Sequence, residues 1–356
     1  MTHSDGIRRM GAGYARHEPL RVRWGRRAIS LTVLFTLTAL YLAALPVLLP
    51  VAIVADLLRR HAWLTLRCGG FFGYYLLVET GAVLGITGAW ILRGLRPRLP
   101  PERFVHWNWN LQKAWSYSLY WGASRIFRVH TEVDGADLVR EGPMIIFIRH
   151  VSLADTMLPL VCVGIPNRIL LRYVLKSELL WDAPIDLAAH QLPNVFVRRG
   201  TGHGDEVTLV RGLVHGLGPS DGVLIYPEGT RFTPEKRDRI LASLAKKDPV
   251  AYREASALKN VLPVHPGGPL ALLDGNEGAD VVFCAHVGLE GTMHLRDFLN
   301  GAVLGSTVRV RFWRVPFAEI PQSPEARIEW LYSWWKRVDA WIGENGPSAL
   351  TATAGD

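Results

Sequence analysis

The sequence predicts an α/β domain, with a mixed, mostly parallel sheet flanked by helices, preceded by an N-terminal hydrophobic helical hairpin. Three observations predict it. An uncharged apolar run covers Ala28 to Ala55, and a second apolar stretch covers Cys68 to Leu92. From about Val129 onward, short β-rich runs alternate with helical or glycine-rich stretches. The 356 residues, 49% of them hydrophobic, are enough for one large core and an anchor besides.

Residues 1–27 are polar and carry Arg8, Arg9, Arg16, Arg21, Arg23, Arg26 and Arg27 with few acids, which reads as a basic N-terminal segment. The apolar run that follows exceeds the roughly 20 residues that span a bilayer core and is too long for the apolar region of a signal peptide. Pro46 and Pro50 are expected to kink it. After a polar break at Asp56, Arg59, Arg60 and His61, the second stretch leads into Arg93, Arg96 and Arg98, so residues 28–99 read as a hairpin anchor and linker. The excess of arginine before the hairpin places both its ends on the cytoplasmic side. Glu79 reads as a bundle-facing or snorkelling carboxylate, and the glycines leave open a hairpin that dips into one leaflet without crossing. Residues 100–127 hold Trp107, Trp109, Trp115, Tyr117, Tyr120 and Trp121, which fits an interfacial helix and equally a helix capping the soluble core.

The α/β domain is assigned to residues 128–318. Its strands are expected at Met144 to Arg149, Leu171 to Leu175, Val195 to Arg198, Val223 to Tyr226, Val261 to His265, Val281 to His286 and Val308 to Trp313. Helices are expected at Leu153 to Val163, Glu206 to His215, Pro234 to Leu258 and Pro324 to Ile342. Residues 319–356 read as an amphipathic helix followed by a disordered tail. In that helix Trp330, Trp334 and Trp341 share a face that Trp335 widens, which suits docking on the core or lying on a bilayer.

A formal charge of +8 and a pI near 9.6 suit anionic phosphate, whether on nucleic acid, on lipid or on a small substrate. No nucleic-acid-binding motif is present, and the basic residues cluster beside the apolar hairpin, where anionic lipid explains them better. Cys68, Cys162 and Cys284 are far apart and form no CxxC pair, which argues against a zinc site or a disulfide framework and for reduced packing residues.

Chemistry enters where the strand MIIFIR ends in His150, with Asp155 five residues on. A histidine base needs a carboxylate to set its tautomer and stabilise the imidazolium. The same spacing fits a capping box in which Ser152 and Asp155 satisfy a helix N-terminus. A second candidate is YPEGTR, where Gly229 lets the backbone approach a ligand and Thr230 and Arg231 can donate to phosphate. An ordinary turn with a solvated arginine is the alternative. Arg198 and Arg199, ending NVFVRR, add positive charge at another strand exit.

Four blocks in order, His150 to Asp155, Asn194 to Gly200, Tyr226 to Arg231 and VLPVHP from Val261 to Pro266, resemble the lysophosphatidic acid and glycerolipid acyltransferase superfamily. The likeness covers roughly Phe127 to Val315. Tyr226 stands where the family usually has Phe, and Val197 precedes Arg198 and Arg199 where a polar residue and a single cation are commoner. The resemblance implies His150 as general base and Asp155 as its orienting partner. It implies an acceptor phosphate on the block of Glu228, Gly229, Thr230 and Arg231, with Arg198, Arg199 and Lys176 assisting. A carboxylate binds phosphate poorly, so Glu228 is expected to hold Arg231 or shape the turn. Pro263 and Pro266 are expected to stiffen a loop over the acyl chain, and His265 reads as packing or hydrogen bonding rather than a second base.

The implied reaction transfers a fatty acyl group from acyl-CoA or acyl carrier protein to 1-acylglycerol-3-phosphate, giving phosphatidate, with no metal and no cofactor beyond the thioester co-substrate. Implied partners are membrane lipids, a lysophospholipid acceptor and the acyl donor, with no nucleic acid. The expected location is a bacterial cell membrane, integral or monotopic, with the catalytic domain cytoplasmic. The alternatives are another lysophospholipid or lipid acceptor, and a non-catalytic lipid-binding scaffold.

Overall fold

The computed structural model of the chain describes residues 18–59, 62–95, 101–198 and 204–346. In chain order its elements are α1 (Leu20–Arg59), α2 (Leu64–Leu95), α3 (Pro101–Phe127), β1 (His130–Asp134), β2 (Met144–Ile148), β3 (Leu170–Lys176), α4 (Ala183–Ala189), β4 (Val195–Val197), α5 (Gly204–Gly212), β5 (Asp221–Ile225), α6 (Pro234–Lys247), α7 (Pro249–Ser256), α8 (Gly267–Asp274), β6 (Asp280–Val287), α9 (Leu295–Leu299), β7 (Thr307–Val315) and α10 (Pro324–Asn345). They divide between two units. One is drawn from Met1–Val129, Arg172–Leu209 and Leu299–Leu304, the other from His130–Leu171, Val210–Phe298 and Gly305–Asp356.

The first unit is the helical hairpin with its attachments. Both α1 and α2 are long and apolar enough to cross a membrane, and α1 runs unbroken through Pro46 and Pro50. Leu40, Val47, Val51 and Leu58 of α1 are exposed. Asp56 is more than a polar break: its carboxylate accepts from the amides of Thr65 and Leu66, both at 2.9 Å, and so caps the start of α2. Glu79 faces inward, where Trp115 Nε1 of α3 donates to it at 2.9 Å. Tyr74 Oη also donates to Ser118 O at 2.8 Å, so α3 is the third helix of this unit, with Tyr117 and Trp121 left exposed.

The segment after β3 is fastened to the same helices. Ala183, Leu187 and Ala188 of α4 pack with Val83 and Ile86 of α2, and Leu31 and Leu34 of α1 join them. Beside this contact Arg27 forks onto Asp186, Nε to Oδ2 at 3.0 Å and Nη2 to Oδ1 at 3.3 Å. Arg26 pairs with Glu18 and Asp186, and its Nε donates to Leu180 O. Burial works against the Asp186 charge, but His190 and Arg27 outweigh it and hold its carboxyl down to about 2. Helix α1 thus begins eight residues before Ala28, and among the described N-terminal arginines Arg26 and Arg27 are buried in ion pairs. Arg8, Arg9 and Arg16 lie outside the described residues, as do Arg60, His61, Arg96, Arg98 and the tail from residue 347.

The second unit is built on strands in the order β1-β7-β6-β2-β5. All pairs are parallel except β6 with β7, and β3 pairs with β4 in parallel in the first unit. Every residue of β2 and β5 is buried, as expected of parallel strands covered on both faces. Helix α10 docks on this sheet rather than standing away from it. Trp334 stacks on Phe283 of β6 at 4.8 Å, Trp330 meets the same ring edge-on at 5.4 Å, and Trp335 is fully buried with Nε1 donating to Leu262 O at 3.0 Å.

Four local expectations change. Val261 to His265 forms no strand, because Pro263 lacks an N–H and the amides of Leu262 and His265 are used by the neighbouring loop. The helix expected over Pro234 to Leu258 breaks between α6 and α7, where Asp248 is extended ahead of Pro249. Leu153 to Val163 is a 3₁₀ turn, Ala154–Met157, followed by a π-helical turn, Leu160–Gly164. Strand β1 was not expected, since HTEVD is polar and mostly exposed at the sheet edge.

Trp335→Ala empties a fully buried position of α10 and leaves Leu262 O without its donor. It should cost about 3–5 kcal/mol of stability, read as a lowered denaturation midpoint of the detergent-solubilised protein.

Candidate active site

Strands β2, β5 and β6 run parallel side by side, with Phe147 opposite both Ile225 and Phe283. Their C-terminal ends therefore emerge together, the usual position of a ligand site in such a sheet. His150 leaves β2 there, and its Nδ1 lies 2.9 Å from Asp155 Oδ1. A carboxylate accepts, so the proton sits on Nδ1 and the lone pair on Nε2. Asp155 is completely buried, and its Oδ2 accepts from the amides of Val151 at 2.6 Å and Ser152 at 2.8 Å. One carboxylate thus orients the histidine and ties up the turn amides, while Ser152 Oγ accepts from Ala154 N at 2.9 Å. Asp155 therefore makes both of the contacts that the sequence alternatives called for, one to the His150 ring and one to the amides of the turn.

The backbone of His150 is held by the third block. His150 N donates to Glu228 Oε1 at 2.9 Å, Leu262 N donates to Glu228 Oε2 at 2.9 Å, and Phe232 N donates to His150 O at 2.7 Å. Glu228 is buried and its two oxygens face backbone amides, so it shapes the turn rather than holding Arg231 or meeting a phosphate. Burial pushes its carboxyl up to about 8, against the two amide donors and the Arg149 charge. Gly229 has φ +63°, which favours glycine, and its N–H donates to Tyr226 O at 3.0 Å. The Tyr226 ring leans over the His150 imidazole, centroids 4.3 Å apart and planes 36° from parallel.

Gly229 is exposed, and Thr230 and Arg231 are half-buried. Lys236, which the sequence reading passed over, donates from Nζ to Arg231 O at 2.9 Å and to Thr230 Oγ1 at 3.4 Å. In the fourth block Pro263 and Pro266 are half-buried and His265 is exposed, with its N–H donating to Pro227 O at 2.8 Å. Lys176 and Arg198 belong to the other unit, where Lys176 pairs in register with Val197, so both cations leave the same end of the β3–β4 pair. The amide of Arg198 donates to Glu206 Oε1 at 3.0 Å. Arg199 lies outside the described residues.

Two buried residues join the site that the motifs do not include. Arg149 Nη1 donates to His286 O and to Glu290 Oε1, both at 2.7 Å, and Nη2 donates to Asn260 O at 3.2 Å. His286 Nε2 lies 3.0 Å from Arg149 O and 3.7 Å from Asp155 Oδ2. Burial lowers the His286 pKa, with Asp155 opposing and Arg149 reinforcing, so its imidazole is neutral. The one sequence signal was an arginine ending an otherwise apolar strand. Among the described residues, no three His, Cys, Asp or Glu side chains are grouped as metal ligands would be.

Residues 130–265 match the family model described as Acyltransferase. No curated protein matches the sequence. Among solved structures, the chain is similar to the 1-acyl-sn-glycerophosphate (LPA) acyltransferase, PlsC, from Thermotoga maritima, at 16% identity and a TM-score of 0.49, covering 76% of this chain and 93% of that one.

A folded-state pKa raised above the unfolded value means that Glu228 keeps its proton in the native state after the unfolded chain has lost it. The stability this group contributes is then full below the unfolded pKa, about 4.3, and falls as pH rises toward about 8. Glu228→Gln does not titrate, so the gap between wild-type and variant melting temperatures should change in that sense across the window. A gap that stays constant with pH would count against a protonated buried carboxyl.

Proposed function

We propose, on the premise that residues 130–265 form an acyltransferase-family domain, that this protein acylates the free hydroxyl of a lysophospholipid, 1-acylglycerol-3-phosphate in the first place, giving phosphatidate. The observation that carries the reading is the His150–Asp155 pair, 2.9 Å apart, with its tautomer set so that Nε2 can accept a proton. The side chain of His150 keeps 12% of its surface exposed, while that of Asp155 keeps none. A base that can be reached from outside, backed by a carboxylate that cannot, suits proton abstraction from a bound alcohol.

In this reading the acceptor hydroxyl gives its proton to His150 Nε2 as its oxygen attacks the carbonyl carbon of an acyl thioester, either acyl-CoA or acyl carrier protein. The tetrahedral intermediate collapses with cleavage of the C–S bond. The departing thiolate takes the proton back from the imidazolium, which Asp155 and the face of Tyr226 stabilise meanwhile. No acyl-enzyme and no metal is required. The acceptor phosphate is assigned to the turn at Gly229, Thr230 and Arg231, and the sequence motifs alone name Lys176, Arg198 and Arg199 as further cations. Pro263 and Pro266 would border the acyl chain.

The hairpin would hold the enzyme at a cytoplasmic membrane face, where both lipid substrate and product reside. The exposed apolar residues of α1 support this. Within this reading residues 1–27 are a basic cytoplasmic segment, 28–99 the anchor and linker, 100–127 an interfacial helix, 128–318 the catalytic domain, and 319–356 the C-terminal helix and tail.

Release of free thiol from oleoyl-CoA or an acyl carrier protein thioester, measured with lysophosphatidate, lysophosphatidylglycerol, lysophosphatidylcholine or no acceptor, tests the reading. His150→Ala should lower kcat by about 10⁴-fold or more, and Asp155→Asn by about 10³- to 10⁴-fold at little change in KM. Preference for another acceptor would keep the chemistry and move the substrate. Wild type and His150→Ala equally inactive with every donor and acceptor would favour a lipid-binding scaffold.

Arg231→Ala removes a charge-assisted contact and should raise KM for a phosphate-bearing acceptor by roughly 10- to 100-fold, with KM for the donor unchanged. Equal increases for both substrates would place Arg231 elsewhere than on the acceptor phosphate.

A further inference from the structure

The peptide group that joins Arg149 to His150 is held at both of its polar ends. Its carbonyl oxygen accepts from His286 Nε2 at 3.0 Å, and its N–H donates to Glu228 Oε1 at 2.9 Å. Because a carbonyl only accepts, the His286 proton must be on Nε2. The contact is reciprocal: Arg149 Nη1 donates to His286 O at 2.7 Å, and Arg149 N donates to Cys284 O at 3.1 Å. Two parallel neighbours, β2 and β6, are thus clasped at their exits by side chains that each grip the other residue's backbone. Both side chains are almost fully buried, Arg149 at 2% and His286 at 0% exposed.

We infer that His286 is a positioning residue for the acyl transfer proposed above, its Nε2–H setting the plane of the peptide from which His150 presents its imidazole. The inference rests on that functional reading. A peptide plane gripped only through its N–H by Glu228 can still turn about that bond, and a turn displaces the Cα–Cβ direction of His150. A displacement of about 1 Å between reacting groups costs about 10²-fold in rate. With its carbonyl also gripped, the plane has no such freedom. The chain from His286 through the peptide to His150 and Asp155 is continuous, since Val151 N and Ser152 N, the next two amides, donate to Asp155 Oδ2. A charged imidazole could also donate here, but beside the buried Arg149 guanidinium and at 3.7 Å from Asp155 Oδ2 it would add a second cation and draw on the carboxylate that serves His150. The neutral form leaves Asp155 to its own partner.

The proposal separates the donor from the bulk of the side chain. His286→Leu fills comparable space without an N–H, whereas His286→Gln offers an amide N–H at similar reach. In acyl-transfer assays normalised to folded protein, His286→Leu should lose kcat by about 10- to 100-fold, with KM for both substrates within about threefold of wild type. His286→Gln should recover most of the loss. Both variants as fast as wild type, or both equally slow, would overturn the proposal, since the donor would then make no difference.

Amide hydrogen exchange over residues 149–152, followed by mass spectrometry on detergent-solubilised protein, reads the same clasp without any turnover. Exchange should quicken in the Leu variant and stay near wild type in the Gln variant, and identical exchange in all three proteins would overturn the clasp. If wild type and His150→Ala turn over no acceptor while the exchange pattern is as stated, the functional reading fails and the clasp stands as a structural device.

Discussion

The buried carboxyl of Glu228 is the constraint on which the arrangement at the strand exits depends. It sits beneath the turn after β5, with the amide of His150 on one oxygen and that of Leu262 on the other. Three segments far apart in the sequence, residues 149–155, 226–231 and 260–266, are thereby brought to a common point. A buried carboxyl is costly to desolvate, and here the cost is met by amides that would themselves be unsatisfied without it. Removing it would leave two orphaned donors in the interior, one of them the amide of His150.

Around that point the geometry follows from the sheet. Parallel neighbours with matched register put the exits of β2, β5 and β6 at one end, so a histidine after β2, a glycine-containing turn after β5 and a buried histidine on β6 become neighbours. Asp155 lies in a short 3₁₀ turn rather than a full helix, which lets its carboxylate fold back onto the amides of Val151 and Ser152 and still reach the His150 ring. The hairpin unit has its own organising contact, the fork of Arg27 on Asp186, and its aromatic helix α3 joins it through Trp115 and Tyr74.

Much of the architecture was legible in the sequence because its signals are local. Apolar runs such as MIIFI and the valine-rich stretch of β6 announce buried strands, and the uncharged run after Arg27 announces a long apolar helix. The contact between His150 and Asp155 was legible for the same reason, since the two are five residues apart. What was not legible depends on partners distant in sequence. Glu228 could not be seen to bind backbone rather than Arg231, because its donors are 78 and 34 residues away. The His286 contact spans 137 residues. Edge strand β1 failed for the opposite reason: its pairing is made by backbone while its side chains are polar and mostly exposed, so no pattern of burial marks it.

The Arg27–Asp186 fork joins positions 159 residues apart in a unit that otherwise begins with the first helix. A buried guanidinium without its counter-charge is strongly unfavourable, and synthesis proceeds from the N-terminus. While the intervening chain is still being made, Arg27 lacks this counter-charge, even though the apolar run directly after it has already been synthesised. The foot of the first helix therefore cannot reach its native pairing until residue 186 has been made, a constraint set by the distance between two charges.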